Sequence, residues 1–262
     1  MITTHTLSFG PCDVRLDGDE QGEPVLLVHG ALVDGTLWDR IVPALAERHR
    51  VIRPSLPIGA HRHPAAHRDL LHPEALADSL VELLDRLDVE RAVVVGNDTG
   101  GAISQILAAR HPDRVSSLVL TSSDALDHFP PTALKPVIPL LRFPAAVRLL
   151  ERAYRSRRGR RSPLGVGLVM KRPIDDAVIS PWFDEIGAHP ESLHDTAAFL
   201  RSCRPALAHA AADALRSFPR PVLVAWSEDD LIFPKADARR LAEMIPHATL
   251  RWITDARTFS MV

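Results

Sequence analysis

A chain of 262 residues is long enough to bury a sizeable core, and its 46% hydrophobic and 24% charged residues match an ordinary globular composition. A formal charge of −2 leaves no whole-chain excess to draw in a nucleic acid or a membrane surface. The two cysteines, Cys12 and Cys203, lack metal-ligand spacing and make no disulfide framework, no secretory signal opens the chain, and no apolar stretch nears the ~20 residues that span a bilayer, so a soluble, cytoplasmic protein is expected.

In chain order, residues 6–9 and 14–16 predict an antiparallel edge hairpin. Residues 24–28 are a continuous apolar run ending at His29-Gly30, as in a strand buried on both faces. Residues 51–53 form a second short strand, halted by Pro54 and Pro57. Leu76, Leu80, Leu83, Leu84 and Leu87 recur at helical spacing. The strongest strand follows at 92–95 and is expected to stop at Gly96; after Gly100-Gly101 comes a helix carrying Ile103, Ile106 and Leu107. Residues 118–121 and 222–226 repeat the strand pattern, 236–245 the helical one, and 250–253 make the last strand. Short strands alternating with helices predict βαβ units around a mostly parallel sheet, an α/β fold.

From 123 to 218 that rhythm breaks. No convincing strand occurs, prolines are frequent, and a basic run from Arg155 to Arg161 reads as a solvated loop. The expected organisation is a core from 1 to 122, a helical cap from 123 to 218, and a second core portion from 219 to 262. A cap over the strand ends covers the place where open α/β sheets bind ligands.

The run Gly96-Asn97-Asp98-Thr99-Gly100-Gly101 lies between a buried strand and a helix. A strand that must become a helix within two or three residues forces its central residue into a strained turn, with glycines allowing close backbone approach. The central side chain then projects above the sheet, and the helix N-terminus beneath favours negative charge. Read more plainly, the run is a polar turn with Asp98 or Thr99 as helix cap.

With its neighbours, this run resembles the nucleophile elbow of the α/β-hydrolase fold family, in particular the haloalkane dehalogenase and epoxide hydrolase branch, whose nucleophile is aspartate. Leu27-Val28-His29-Gly30-Ala31, with Trp38 downstream, is similar to that family's oxyanion turn. Trp226-Ser227-Glu228-Asp229-Asp230 resembles the segment bearing the triad acid; spacing selects Asp230, with Asp229 as alternate. The resemblance implies that Asp98 is the nucleophile, Asp230 the orienting acid, and the backbone N–H groups of Ala31 and Thr99 an oxyanion hole. It implies no cofactor and a small, mainly apolar ligand or substrate. A metal is not expected, because the pair His61 and His63 lacks a third ligand at suitable spacing.

The family's base is missing. Thr258 stands where the histidine belongs, and threonine accepts no proton near neutral pH. His29 beside the oxyanion turn, His61 on the loop after the second strand and His128 at the start of the cap are the candidates to replace it or to line the pocket. Departures extend to substrate: Thr99 stands where haloalkane dehalogenases carry tryptophan, and a single tyrosine, Tyr154, cannot supply the pair that epoxide hydrolases use. Three readings follow: a hydrolase attacking a small apolar electrophile through Asp98, a ligand-binding protein that has lost turnover, or a lyase or isomerase with Asp98 as general base. The sequence ends at Met261-Val262, where relatives continue into a helix, so apolar surface around Trp252 and Phe259 is expected to lie exposed or against another subunit.

Overall fold

Eight strands make one sheet in the order β1-β2-β4-β3-β5-β6-β7-β8 in a computed structural model that describes residues 1–262. The hairpin of β1 (Ile2–Leu7) and β2 (Gly10–Asp17) forms one edge and pairs antiparallel with β4 (His49–Pro54). From β4 onward every pairing is parallel, through β3 (Glu23–Val28), β5 (Ala92–Asp98), β6 (Val115–Ser123), β7 (Val222–Ser227) and β8 (Ala248–Ile253). The central strands are continuous apolar runs because both sheet faces are covered: Leu26, Leu27, Val28, Val94 and Leu120 are wholly buried.

Helix α1 (Val42–Ala46) precedes β4, and α2 (Pro73–Arg86) follows it. Proline at its first position and the His72 ring accepting from the Ala75 N–H start α2, whose stripe of Leu76, Leu80, Leu83 and Leu84 is fully buried. Burying each leucine contributes about 1.5–3 kcal/mol. Helix α3 (Thr99–Arg110) has its first ten residues buried on every side, since it packs against α2, β5, β6 and the later α8. Its small residues Gly100, Gly101, Ala102 and Ala108 permit that enclosure.

Between β6 and β7 the chain makes only helices and turns: α4 (Pro144–Tyr154), α5 (Arg157–Arg160), α6 (Asp176–Ala188), α7 (Glu191–Ser202) and α8 (Pro205–Ala214). Helix α9 (Lys235–Met244) joins β7 to β8. The basic run beginning at Arg155 is not wholly loop, because Ser156 caps the short α5 by accepting from the Gly159 N–H.

Two expectations change. β5 does not stop at Gly96 but runs to Asp98, because Asn97 and Asp98 still pair with Thr121 and Ser123 of β6, across a register shift between the two. Phe259 is 5% exposed rather than open, packed edge-on against Trp182 of α6 at 6.2 Å, and the Arg239 guanidinium covers the Trp252 ring at 5.4 Å. No helix is long and apolar enough to cross a membrane.

The topology locates a crevice. After β3 the chain adds β4 on one side and β5 on the other, so connections diverge between β3 and β5. Outside the carboxyl ends of such a strand pair no crossover covers the opening. His29-Gly30-Ala31 and Asp98 lie there.

Candidate active site at the strand-to-helix elbow

Asp98 ends β5 and caps α3 with φ 56° and ψ −131°, a conformation that L-residues rarely adopt and that costs on the order of 1–3 kcal/mol. The surroundings hold it there. A Cβ on Gly30 would fall 2.4 Å from Asp98 Cβ, and one on Gly101 would fall 2.2 Å from Ser123 Cβ, so the elbow closes only around these glycines. Asp98 is 9% exposed, and its Oδ1 accepts from the backbone N–H groups of Thr99 at 2.6 Å and Ala31 at 3.2 Å. The bond from Thr99 joins Asp98 to the first residue of α3, but the one from Ala31 crosses from the turn after β3, so the cap reading is incomplete. Both donors converge on one oxygen. Burial raises the carboxyl above its usual range; the two N–H groups pull it back down, and the nearby Asp230 charge adds to the rise.

Asp230 stands on the loop after β7. Its Oδ1 accepts from the N–H groups of Ile232 (2.8 Å) and Phe233 (2.9 Å), while Oδ2 accepts from the Thr258 hydroxyl at 2.9 Å. Burial raises its proton affinity against these donors. The alternate, Asp229, turns outward to Lys171 at 2.5 Å. Thr258 is fully buried, and its carbonyl accepts from the Asn97 side chain at 2.9 Å, which fixes the segment after β8 beside the elbow. Thr258 therefore receives from Asp230 the contact that would orient an imidazole.

None of the candidate histidines bonds to Asp98. In His29 both ring nitrogens are committed to backbone: Nδ1 meets the Gly30 carbonyl at 2.8 Å, and Nε2 accepts from the Leu56 N–H at 2.8 Å. Accepting at Nε2 places the proton on Nδ1, and burial holds the ring near a pKa of about 4. His29 thus staples β3 to the loop after β4 and leaves no nitrogen for proton transfer. His61, also buried, lies between the Gly59 carbonyl (3.0 Å) and Asp195 of α7 (3.3 Å), an anchor between that loop and the helical segment. His128 meets Asp237 of α9 at 2.6 Å. His63 faces Asp13 while His61 faces Asp195, so the two do not converge, and no group of three His, Cys, Asp or Glu residues is placed to hold a metal ion.

One residue that sequence reasoning missed joins the elbow. Asp124, just past β6, is wholly buried; its N–H donates to the Asp98 carbonyl at 3.2 Å and its Oδ2 accepts from the Thr99 hydroxyl at 3.0 Å. Oδ1 has no partner. Burial, then the Asp98 charge, lift this carboxyl far above the ordinary range. The available signal was topological, since parallel neighbours β5 and β6 bring the residues after both strands to one edge. Cavities of about 300 Å³, lined by Met170, Lys171 and Phe259 among others, and about 500 Å³, between Met1, Leu16 and Arg50, do not reach Asp98.

A mostly parallel eight-stranded sheet, a crevice between β3 and β5, and an acid on the loop after β7 define an open α/β architecture with an opening at its strand ends. Residues 23–261 match the alpha/beta hydrolase fold family, and the chain belongs to it. It is 31% identical over 252 residues to the magnesium-chelatase 30 kDa subunit of Rhodobacter capsulatus, covering 93% of this chain and 84% of that protein. It is 28% identical to a cis-3-alkyl-4-alkyloxetan-2-one decarboxylase of Shewanella oneidensis, covering 96% and 81%. A 39% identity to a 2-hydroxymuconate semialdehyde hydrolase of a Pseudomonas species spans 106 residues, 39% of this chain and only 37% of that protein's length. Among solved structures, haloalkane dehalogenase DbeA of Bradyrhizobium elkani superposes with TM-score 0.80 at 21% identity, covering all of this chain and 92% of its own. That likeness is one of fold.

Proposed function

We propose that the chain is a cofactor-independent hydrolase acting on a small, mainly apolar electrophile through Asp98. One observation carries the reading: both backbone donors grip Oδ1, which leaves Oδ2 as the free oxygen of a strained, dehydrated carboxylate. In this reading an Oδ2 lone pair attacks the electrophilic carbon, the leaving group departs with its bonding pair or a strained ring opens, and an alkyl ester forms at Asp98. Oδ1 becomes the ester carbonyl oxygen, still held by Ala31 and Thr99, ready to carry negative charge when water attacks Cγ. The names of relatives, one handling a four-membered lactone ring and another a semialdehyde, support a small organic substrate. Residues 123–218 act as the cap that excludes water, and the two free, buried cysteines suit a reducing cytoplasm.

The second reading is favoured by Thr258. With its hydroxyl donated to Asp230 and no candidate histidine bonded to Asp98, water attack lacks a base, so the protein would hold its ligand or stop at the ester. Intact mass after incubation with a 1-bromoalkane, an epoxide or a β-lactone distinguishes the outcomes. Product without a persistent adduct supports hydrolysis, and a long-lived adduct absent from Asp98→Asn supports arrest at the ester. Neither product nor adduct, with binding unchanged in Asp98→Asn, refutes attack by Asp98.

A further inference from the structure

The net charge of −2 conceals a division of the surface. Between residues 135 and 161 there are nine lysines and arginines against Glu151 alone, a local charge of +8, so the rest of the chain carries −10. Several of these cations are used internally: Arg155 pairs with Glu151, Arg157 and Arg161 with Asp176, and Arg160 with Asp184. Arg142, Arg148, Arg152 and Arg158 form no ion pair, and all four are exposed.

The same stretch holds three of the molecule's six exposed large hydrophobic side chains: Leu140 at 53%, Phe143 at 48% and Leu149 at 68%. Helical geometry explains the arrangement. Val147 and Tyr154 of α4 face inward and are buried, which turns Ala145, Arg148, Leu149 and Arg152 outward together. Phe143 and Leu140 extend this face from the preceding turn, and the Arg142 guanidinium lies over the Phe143 ring at 4.6 Å. An amphipathic helix normally hides its apolar residues; here an apolar set remains outside, interleaved with unpaired arginines.

From this we infer that the outer face of α4 and the turn before it is a docking surface for an anionic lipid bilayer. A second copy of the chain would bring +8 against +8, so self-association through this face is opposed by charge. A nucleic acid would engage the arginines but gains nothing from Leu140, Phe143 and Leu149. An anionic bilayer uses both, with arginines at the headgroups and the apolar side chains in the boundary below. This mode is peripheral and compatible with the absence of a spanning helix. It is independent of the chemistry at Asp98.

Co-sedimentation with vesicles of phosphatidylglycerol and phosphatidylcholine, against phosphatidylcholine alone, tests it. Binding is expected only to anionic vesicles, weakening as salt rises. The double variant Arg148→Glu with Arg152→Glu should lose more than about 25-fold in affinity, taking roughly fivefold per arginine near the surface. Phe143→Asp with Leu149→Asp should lose at least about tenfold, with melting temperature unchanged because both side chains are exposed. No binding to anionic vesicles at low salt overturns the inference. So does binding that survives the Phe143 and Leu149 changes, or equal binding to duplex DNA, either of which would reduce the face to a general polyanion site.

Discussion

Replacing Thr258 by histidine puts an imidazole beside Asp230, where the structure already supplies its orientation. The Thr258 hydroxyl donates to Asp230 Oδ2 at 2.9 Å, and Oδ1 is fixed by two backbone N–H groups, so an imidazole Nδ1–H meets an acceptor that cannot swing away. The Asn97 bond to the Thr258 carbonyl is unaffected by the side chain and keeps the segment in register. A positioned general base contributes about 10²–10⁴-fold, so decay of an Asp98 ester should accelerate by at least about 100-fold. The cost is overpacking: position 258 is fully buried, and enlarging it should lower stability by about 1–3 kcal/mol. The assay is a pulse of alkylating probe, its removal, and the lifetime of the adduct by intact mass in wild type and Thr258→His. Adding Asp230→Asn should abolish most of the gain by releasing the ring from its tautomer. A well-folded Thr258→His protein whose adduct decays no faster than wild type would refute the reasoning, because the geometry at Asp230 would then not deliver a base to Asp98.

Other perturbations have equally definite outcomes. Asp124→Asn keeps an acceptor for the Thr99 hydroxyl but cannot ionise. Because the folded state raises the Asp124 pKa, wild type loses stability as pH climbs above the unfolded value near 4; melting curves should show Asp124→Asn gaining on wild type as pH rises from about 4. His29 behaves oppositely: its pKa is lowered to about 4, so its contribution is present above pH 6.5 and is lost as pH falls through 4, a change of about 3 kcal/mol that His29→Ala should not show. At neutral pH His29→Ala strands the buried Leu56 N–H and should cost about 1–3 kcal/mol in urea titrations. Gly30→Ala places a methyl group 2.4 Å from Asp98 Cβ, and adduct formation should fall by at least about 100-fold; an unchanged rate would mean that Asp98 is not held against this turn.

What could be read locally from the chain was the alternation of elements and the elbow, because buried parallel strands are short apolar runs and a strand-to-helix turn demands glycines at set positions. The family resemblance, rather than local pattern, pointed to Asp230 over Asp229 and to Thr258 in the place of a base. The strand end was harder: Gly96 looked like a stop, yet inter-strand bonds to β6 carry β5 on to Asp98. A propensity at one residue does not outweigh a ladder contributed by another strand.

The residues themselves determined that a carboxylate crowns this turn and that no histidine follows the last strand. Only the tertiary structure decided what each remaining polar group does. His61 finds Asp195 and His128 finds Asp237, partners more than a hundred positions away, and Asp124 meets Asp98 because two parallel strands end at the same edge. The physical reason is that a buried donor or proton is claimed by whichever groups the packed sheet and helices bring within about 3 Å, and that set is not ordered along the chain.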